Sequence, residues 1–91
     1  MSRPIGIFDS GVGGLTVLKA LRARLPHCDF VYLGDTARVP YGRKPKEMVR
    51  GFASEIAWFL EQLDVACIVV ACNTASACAL PGLADEVSVP V

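Results

Sequence analysis

The chain has 91 residues, of which 53% are hydrophobic, and its nine Lys and Arg residues balance nine Asp and Glu residues. This length suits a single small domain over residues 1–91. Because no stripe of Lys and Arg is present, we expect neither nucleic-acid contact nor a basic membrane-surface helix.

One histidine and four cysteines, at positions 28, 67, 72 and 78, are the candidate metal or redox side chains. Their spacing matches no zinc template, so we predict no metal site. The apolar run before Asp9 is too short for a signal peptide, and no segment reaches the roughly 20 apolar residues of a membrane span. We therefore expect free thiols and a cytoplasmic location.

The first half of the chain predicts two strands and one helix. Residues 4–8 form a short buried strand that ends at Asp9, and the glycine-rich turn 10–14 follows it. Four leucines then recur at helical spacing until Pro26 ends the helix. A second strand covers residues 30–33.

The second half predicts two more helices and two more strands. A polar loop leads to Pro45, which suits the first turn of a helix. Residues 66–71 form a continuous apolar run, as in a strand buried on both faces of a parallel sheet. A third helix follows Cys72 and is predicted to end near residues 81–82 or shortly after, and residues 87–91 predict the approach to a fourth strand. The second helix is predicted to bury Val49, Phe52, Ile56, Phe59, Leu60 and Leu63, with Trp58 in the core or a helix contact.

Strands that alternate with helices predict an α/β fold of three layers, built from βαβ units around a parallel, flavodoxin-like sheet. Such sheets bind ligands beyond the carboxyl ends of their strands. Polar residues follow all three predicted strand ends: Asp9 and Ser10, then Asp35 with its loop, then Cys72, Asn73 and Thr74. The sequence therefore predicts a site at this edge.

Cys72 is the most informative of these residues. Only the thiolate of a cysteine accepts a proton, and a helix that begins directly after Cys72 favours a thiolate through its N–H groups and dipole. Asn73 or Thr74 is expected to cap that helix. The alternative is a buried structural cysteine.

The first loop has two interpretations at each position. Asp9 either assists proton transfer or holds an ammonium group, or else it bonds its own turn. Ser10 either binds a substrate carboxylate or caps the first helix. The turn lacks the third glycine of a dinucleotide fingerprint, because Thr16 stands there. It is either a nest of N–H groups for a small anion or, at Gly14, a place of tight packing.

The second loop is less informative. Tyr41 either walls a small pocket or is a surface aromatic residue that holds its own loop. Arg38 and Arg43 are expected to be solvated.

Three segments in series resemble the glutamate racemases: residues 9–15, 34–42 and 71–77. Their order and spacing match, and the resemblance covers essentially the whole chain as the first of two similar domains. It implies a cofactor-independent, cytoplasmic isomerase that interconverts L- and D-glutamate with two facing cysteines. That activity supplies D-glutamate for bacterial peptidoglycan, and hence for cell wall biogenesis and cell shape.

The resemblance also implies residue roles. Cys72 is the catalytic cysteine that acts on D-glutamate, and the Asp9 carboxylate assists it. The implied substrate-binding positions are Ser10, Pro40, Tyr41, Gly42, Asn73 and Thr74. Glutamate is the implied small-molecule partner. A homodimer is one assembly that the whole protein could form.

Two other functions are consistent with the same residues. One is a related racemase of the same superfamily that acts on aspartate or a hydantoin. The other is a non-catalytic α/β module that binds small anions, in which Cys72→Ser leaves behaviour intact.

The family's second cysteine, in a Cys-Thr-His motif, has no counterpart within these 91 residues. Inverting a carbon centre requires a base on one side and an acid on the other. We therefore predict that the isolated chain does not racemise glutamate. The measurement is racemisation by the purified chain, and Cys72-dependent turnover would contradict the prediction.

Overall fold

The computed structural model describes residues 3–38 and 40–91, so Met1, Ser2 and Val39 lie outside the described residues. The strands are β1 (Ile5–Asp9), β2 (Phe30–Gly34) and β3 (Cys67–Val70). The helices are α1 (Leu15–Arg24), α2 (Lys46–Gln62) and α3 (Asn73–Glu86). Two 3₁₀ turns, Thr36–Arg38 and Tyr41–Arg43, lie in the loop before α2.

The three strands form a parallel sheet with β1 in the centre, between β2 and β3. The N–H of Asp35 donates to the carbonyl oxygen of Asp9 at 2.9 Å, and that of Ala71 donates to the carbonyl oxygen of Phe8 at 2.8 Å. The carboxyl ends of all three strands therefore meet at one edge, which we call the carboxyl-end rim (residues 9–10, 35–38, 40–42 and 72–74). The predicted parallel α/β fold is confirmed.

The core lies between the sheet and the helices α2 and α3. Phe8 and Ile68 project from the sheet into it, and Leu83 of α3 is buried there. The crossovers from β1 to β2 and from β2 to β3 run in opposite directions, so right-handed connections place α1 on the other face. No residue of α1 is buried. Within residues 3–38 and 40–91, no helix is long and apolar enough to cross a membrane.

The buried face of α2 differs from the predicted one. Its buried residues are Val49, Ala53, Ile56, Ala57 and Leu60. The side chains of Trp58, Phe59 and Leu63, predicted to be in the core, are 60%, 47% and 44% exposed. That part of the prediction is wrong, because Ala53 and Ala57, rather than Trp58, Phe59 and Leu63, share the side of α2 that packs on the core.

The end of the chain differs from the prediction in its last five residues. Helix α3 ends at Glu86, shortly after residues 81–82, and the Glu86 carboxylate accepts a hydrogen bond from Ser54 Oγ at 2.8 Å. Residues 87–91, which are all described, form no strand. Pro90 accepts one backbone hydrogen bond from Ile68 of β3, at 2.8 Å.

Two leucines of the α2 region test this account of the core. Leu60 is fully buried and Leu63 is 44% exposed. We expect Leu60→Ala to lower the free energy of unfolding by about 2–5 kcal/mol, since it leaves a cavity. Leu63→Ala, the matched control, should change it by only about 0.5 kcal/mol. Urea-induced unfolding measures both, and equal losses would contradict the assignment of the core.

Candidate active site at the carboxyl-end rim

Asp9 ends the central strand, and its carboxylate is bound by its own loop. The residue is only 5% exposed. Oδ1 accepts a hydrogen bond from the N–H of Ser10 at 2.7 Å, and Oδ2 accepts one from the N–H of Gly14 at 2.6 Å and one from the hydroxyl of Tyr32 at 3.2 Å. These donors stabilise a carboxylate that burial would otherwise destabilise. The interpretation of Asp9 as a turn residue that bonds the backbone of its own loop is confirmed.

Two glycines allow the backbone to approach so closely. A Cβ on Gly14 would lie 3.0 Å from the Cβ atoms of Asp9 and Ala71. A Cβ on Gly34 would overlap the carbonyl oxygen of Gly11. The tight packing predicted at Gly14 is confirmed, and Gly34 provides a second close approach, between β2 and the loop after β1.

Cys72 lies at the start of α3 as its N-cap residue. Its Sγ accepts a hydrogen bond from the N–H of Ala75 at 3.4 Å. The prediction that Asn73 or Thr74 caps α3 is therefore wrong, because the thiol of Cys72 takes that place. The expected proximity of Cys72 to a helix N-terminus is confirmed.

Ser10 contacts Cys72 across the rim. The Cys72 thiol donates to Ser10 Oγ, with 3.4 Å between the sulfur and the oxygen. Helix α1 is capped at Gly14 without a side-chain hydrogen bond, so Ser10 does not cap it. Among the hydrogen bonds of the described residues, none joins the Asp9 carboxylate to Cys72. Ser10 instead connects them, with its N–H on Asp9 and its hydroxyl on the thiol.

The second loop approaches the same rim through its backbone. A Cβ on Gly42 would lie 3.8 Å from Thr74 Oγ1, so residues 40–42 lie beside the start of α3. Pro40, Gly42 and Asn73 are exposed, and Thr74 is partly buried. The structure therefore brings these predicted positions together around Cys72.

The ring of Tyr41 packs in the core, and its hydroxyl reaches Asp35 of the rim. It is 2% exposed, and its ring centroid lies 6.1 Å from that of Phe8 and 5.5 Å from that of Phe52. Its hydroxyl donates to Asp35 Oδ2 at 2.5 Å. Burial, together with the hydrogen bond and the charge of Asp35, raises the pKa of Tyr41 well above its ordinary value, so the hydroxyl stays a donor. The interpretation of Tyr41 as a surface aromatic residue is wrong.

Arg38 holds the same loop against α2. Its Nη2 lies 2.6 Å from Glu55 Oε1, its Nε lies 3.4 Å from Asp35 Oδ2, and its guanidinium lies 4.3 Å from the ring centroid of Phe52. The hydrogen bond to Glu55 is the main cause of a raised pKa of Arg38. The expectation that Arg38 is merely solvated is therefore wrong.

Two side chains of this region, Tyr32 and Glu55, were not singled out from the sequence. Tyr32 lies in an apolar strand, and Glu55 lies on an amphipathic helix. The local sequence pattern therefore marks neither residue as part of a site. Their partners follow only from strand register and helix packing.

Two other kinds of site are a metal centre and a groove away from the rim. In the described part of the chain, no group of three His, Cys, Asp or Glu side chains could hold a metal ion. A groove of about 830 Å³ lies between α1 and β2, and no predicted site residue lines it.

No protein-family model matches the chain. Over 88 residues it is 70% identical to the glutamate racemase of Thermus thermophilus, an alignment that covers 97% of this chain and 34% of the relative. It is 62% identical over 87 residues to the glutamate racemase of Aquifex pyrophilus, covering 96% of this chain and 34% of the relative. Over nearly its whole length the chain is therefore similar to glutamate racemases. It spans about a third of the length of these curated relatives.

Solved structures of glutamate racemases have the same fold over this region. The T. thermophilus enzyme in complex with β-chloro-D-alanine matches with a TM-score of 0.95 and 69% identity, covering 99% of this chain and 35% of that one. The Francisella tularensis glutamate racemase in complex with D-glutamate also matches with a TM-score of 0.95, at 46% identity, covering 99% of this chain and 34% of that one. The resemblance based on three motifs is thereby confirmed.

Gly34 and Gly51 offer a matched test of the close approach at Asp9. A methyl group on Gly34 meets backbone, whereas Gly51 of α2 has no atom within 4 Å of the corresponding position. We expect Gly34→Ala to destabilise the chain and to displace the loop around Asp9. Gly51→Ala should stabilise it by roughly 0.5–1 kcal/mol, since alanine is the better helix former. Thermal unfolding and the amide NMR signals of residues 10–14 measure both effects, and an unperturbed Gly34→Ala variant would contradict the packing.

Proposed function

We propose that the whole protein to which this chain belongs interconverts L- and D-glutamate by two-base proton transfer, with Cys72 as the base that acts on D-glutamate. In this proposal it works in the cytoplasm and supplies D-glutamate for peptidoglycan, and thereby for cell shape. The observation that carries the proposal is the thiol of Cys72 at the N-terminus of α3, beside the hydroxyl of Ser10. The two related structures with D-glutamate and β-chloro-D-alanine support a small amino-acid ligand.

The proton transfer uses the thiolate form of Cys72. The bond between the α-carbon and its hydrogen breaks, an S–H bond forms, and the electron pair left on carbon is delocalised into the substrate carboxylate. The N–H groups and the dipole at the start of α3 stabilise the thiolate before this step. The hydrogen bond from Ala75 to the sulfur holds it in place. A second base, opposite Cys72, completes the inversion from outside this chain.

Substrate binding falls to the groups around Cys72. Ser10, Asn73 and Thr74 offer hydroxyl, amide and backbone N–H donors to a substrate carboxylate, on which charge develops during the reaction. Pro40 and Gly42 line the opposite side of the rim. Tyr41 acts through the backbone of its segment, because its side chain is buried and its hydroxyl is bound to Asp35.

Asp9 has room for one more donor. A carboxylate offers about four lone-pair sites, and the structure describes three hydrogen bonds on this one, of which a single bond is on Oδ1. The remaining site on Oδ1 suits the substrate ammonium group or a proton in transit to Cys72. Its position next to Ser10 supports the assisting role.

Exchange of the α-hydrogen of glutamate in D₂O tests the proposal on the whole protein. We expect exchange of D- and L-glutamate, and a loss of at least about 100-fold in the exchange of D-glutamate in Cys72→Ser, because a hydroxyl is a far weaker base than a thiolate. Cys78→Ser is the matched control on the same helix and should keep nearly full activity. NMR of the α-hydrogen signal follows both.

Two outcomes would contradict the proposal. Exchange of aspartate but not of glutamate would assign another racemase activity. Full exchange in Cys72→Ser would remove Cys72 from the mechanism.

A further inference from the structure

The hydroxyl of Tyr32 lies between two acceptors beside the proposed site. It is 3.2 Å from Asp9 Oδ2 and 3.1 Å from the carbonyl oxygen of Gly11. Tyr32 belongs to β2 and pairs with Ile7 of β1 in the parallel register. Its ring therefore lies on the same face of the sheet as Asp9, two residues further along β1.

We propose that Tyr32 is a positioning residue that fixes the Asp9 carboxylate, and with it the loop after β1. This inference rests on the proposed function, in which Asp9 assists Cys72.

The three donors to the Asp9 carboxylate come from two different parts of the chain. Ser10 and Gly14 belong to the loop that directly follows Asp9, so they move with it. Of the three hydrogen bonds described on this carboxylate, the one from Tyr32 comes from another strand, 23 residues along the chain. Tyr32 therefore fixes the carboxylate relative to the sheet, and through Gly11 it also fixes the loop.

The Tyr32 hydroxyl has two acceptors within reach. A phenol has one donor hydrogen and can also accept. The same hydroxyl lies within hydrogen-bond distance of Asp9 Oδ2 and of the Gly11 carbonyl oxygen, so it ties both the carboxylate and the loop after β1 to β2.

The hydroxyl of Tyr32 keeps its hydrogen at neutral pH. Burial, and next the negative charge of Asp9, raise the pKa of Tyr32 above its ordinary value. The hydrogen that the arrangement requires is therefore present throughout the neutral range.

Kinetics of Tyr32→Phe in the whole protein test the inference. We expect kcat to fall about tenfold, as for loss of a hydrogen bond to a charged group, with KM for D-glutamate changed by less than about twofold. The primary isotope effect should rise with α-deuterated D-glutamate, whose hydrogen goes to Cys72, and should not rise with α-deuterated L-glutamate. Phe30→Leu, on the same face of β2, is the matched control and should retain wild-type kinetics.

A second measurement needs no substrate. Hydrogen exchange of the Ser10 and Gly14 amides should become faster in Tyr32→Phe, while that of Ile5, at the other end of β1, stays unchanged. Unchanged amides, unchanged kcat, or a loss that Phe30→Leu reproduces would overturn the positioning role. A wild-type protein without glutamate turnover would refute the proposed function alone, since the amides still decide the role of Tyr32.

Discussion

The carboxylate of Asp9, buried at the end of the central strand, is the constraint on which the rest of the rim depends. A buried charge is costly unless hydrogen bonds surround it. The chain supplies them by turning sharply after Asp9, so that the N–H groups of Ser10 and Gly14 point back at it. That turn requires a glycine at position 14, and the approach of β2 requires another at position 34. The same turn places Ser10 beside Cys72.

The parallel sheet brings the polar groups at the ends of its strands together. The carboxyl ends of all three strands meet at one edge, so groups from distant parts of the chain face one another without any long loop. The strand β3 ends there, and α3 begins at once, with a cysteine as its N-cap. The thiol of Cys72 therefore caps the helix by accepting a hydrogen bond from an N–H of its first turn.

The loop after β2 is held in place by side chains on its core-facing side. Tyr41 extends into the core and bonds Asp35, while Arg38 joins Asp35 to Glu55 of α2. An aromatic ring and an ion pair network thus fix a segment that lacks regular secondary structure apart from two 3₁₀ turns. The position of the exposed residues Pro40 and Gly42 is thereby set by the side chains of their neighbours.

The sequence by itself determined the order of strands and helices, the parallel α/β class, and the placement of Cys72 between a buried strand and a helix. These features depend on local periodicity and on motifs a few residues long. Only the tertiary structure decided which atoms meet. The contact of Cys72 with Ser10 joins residues 62 positions apart, and the contact of Tyr32 with Asp9 joins residues 23 apart. Such partners depend on strand register and on the packing of helices against the sheet, and neither of these is written in the local pattern.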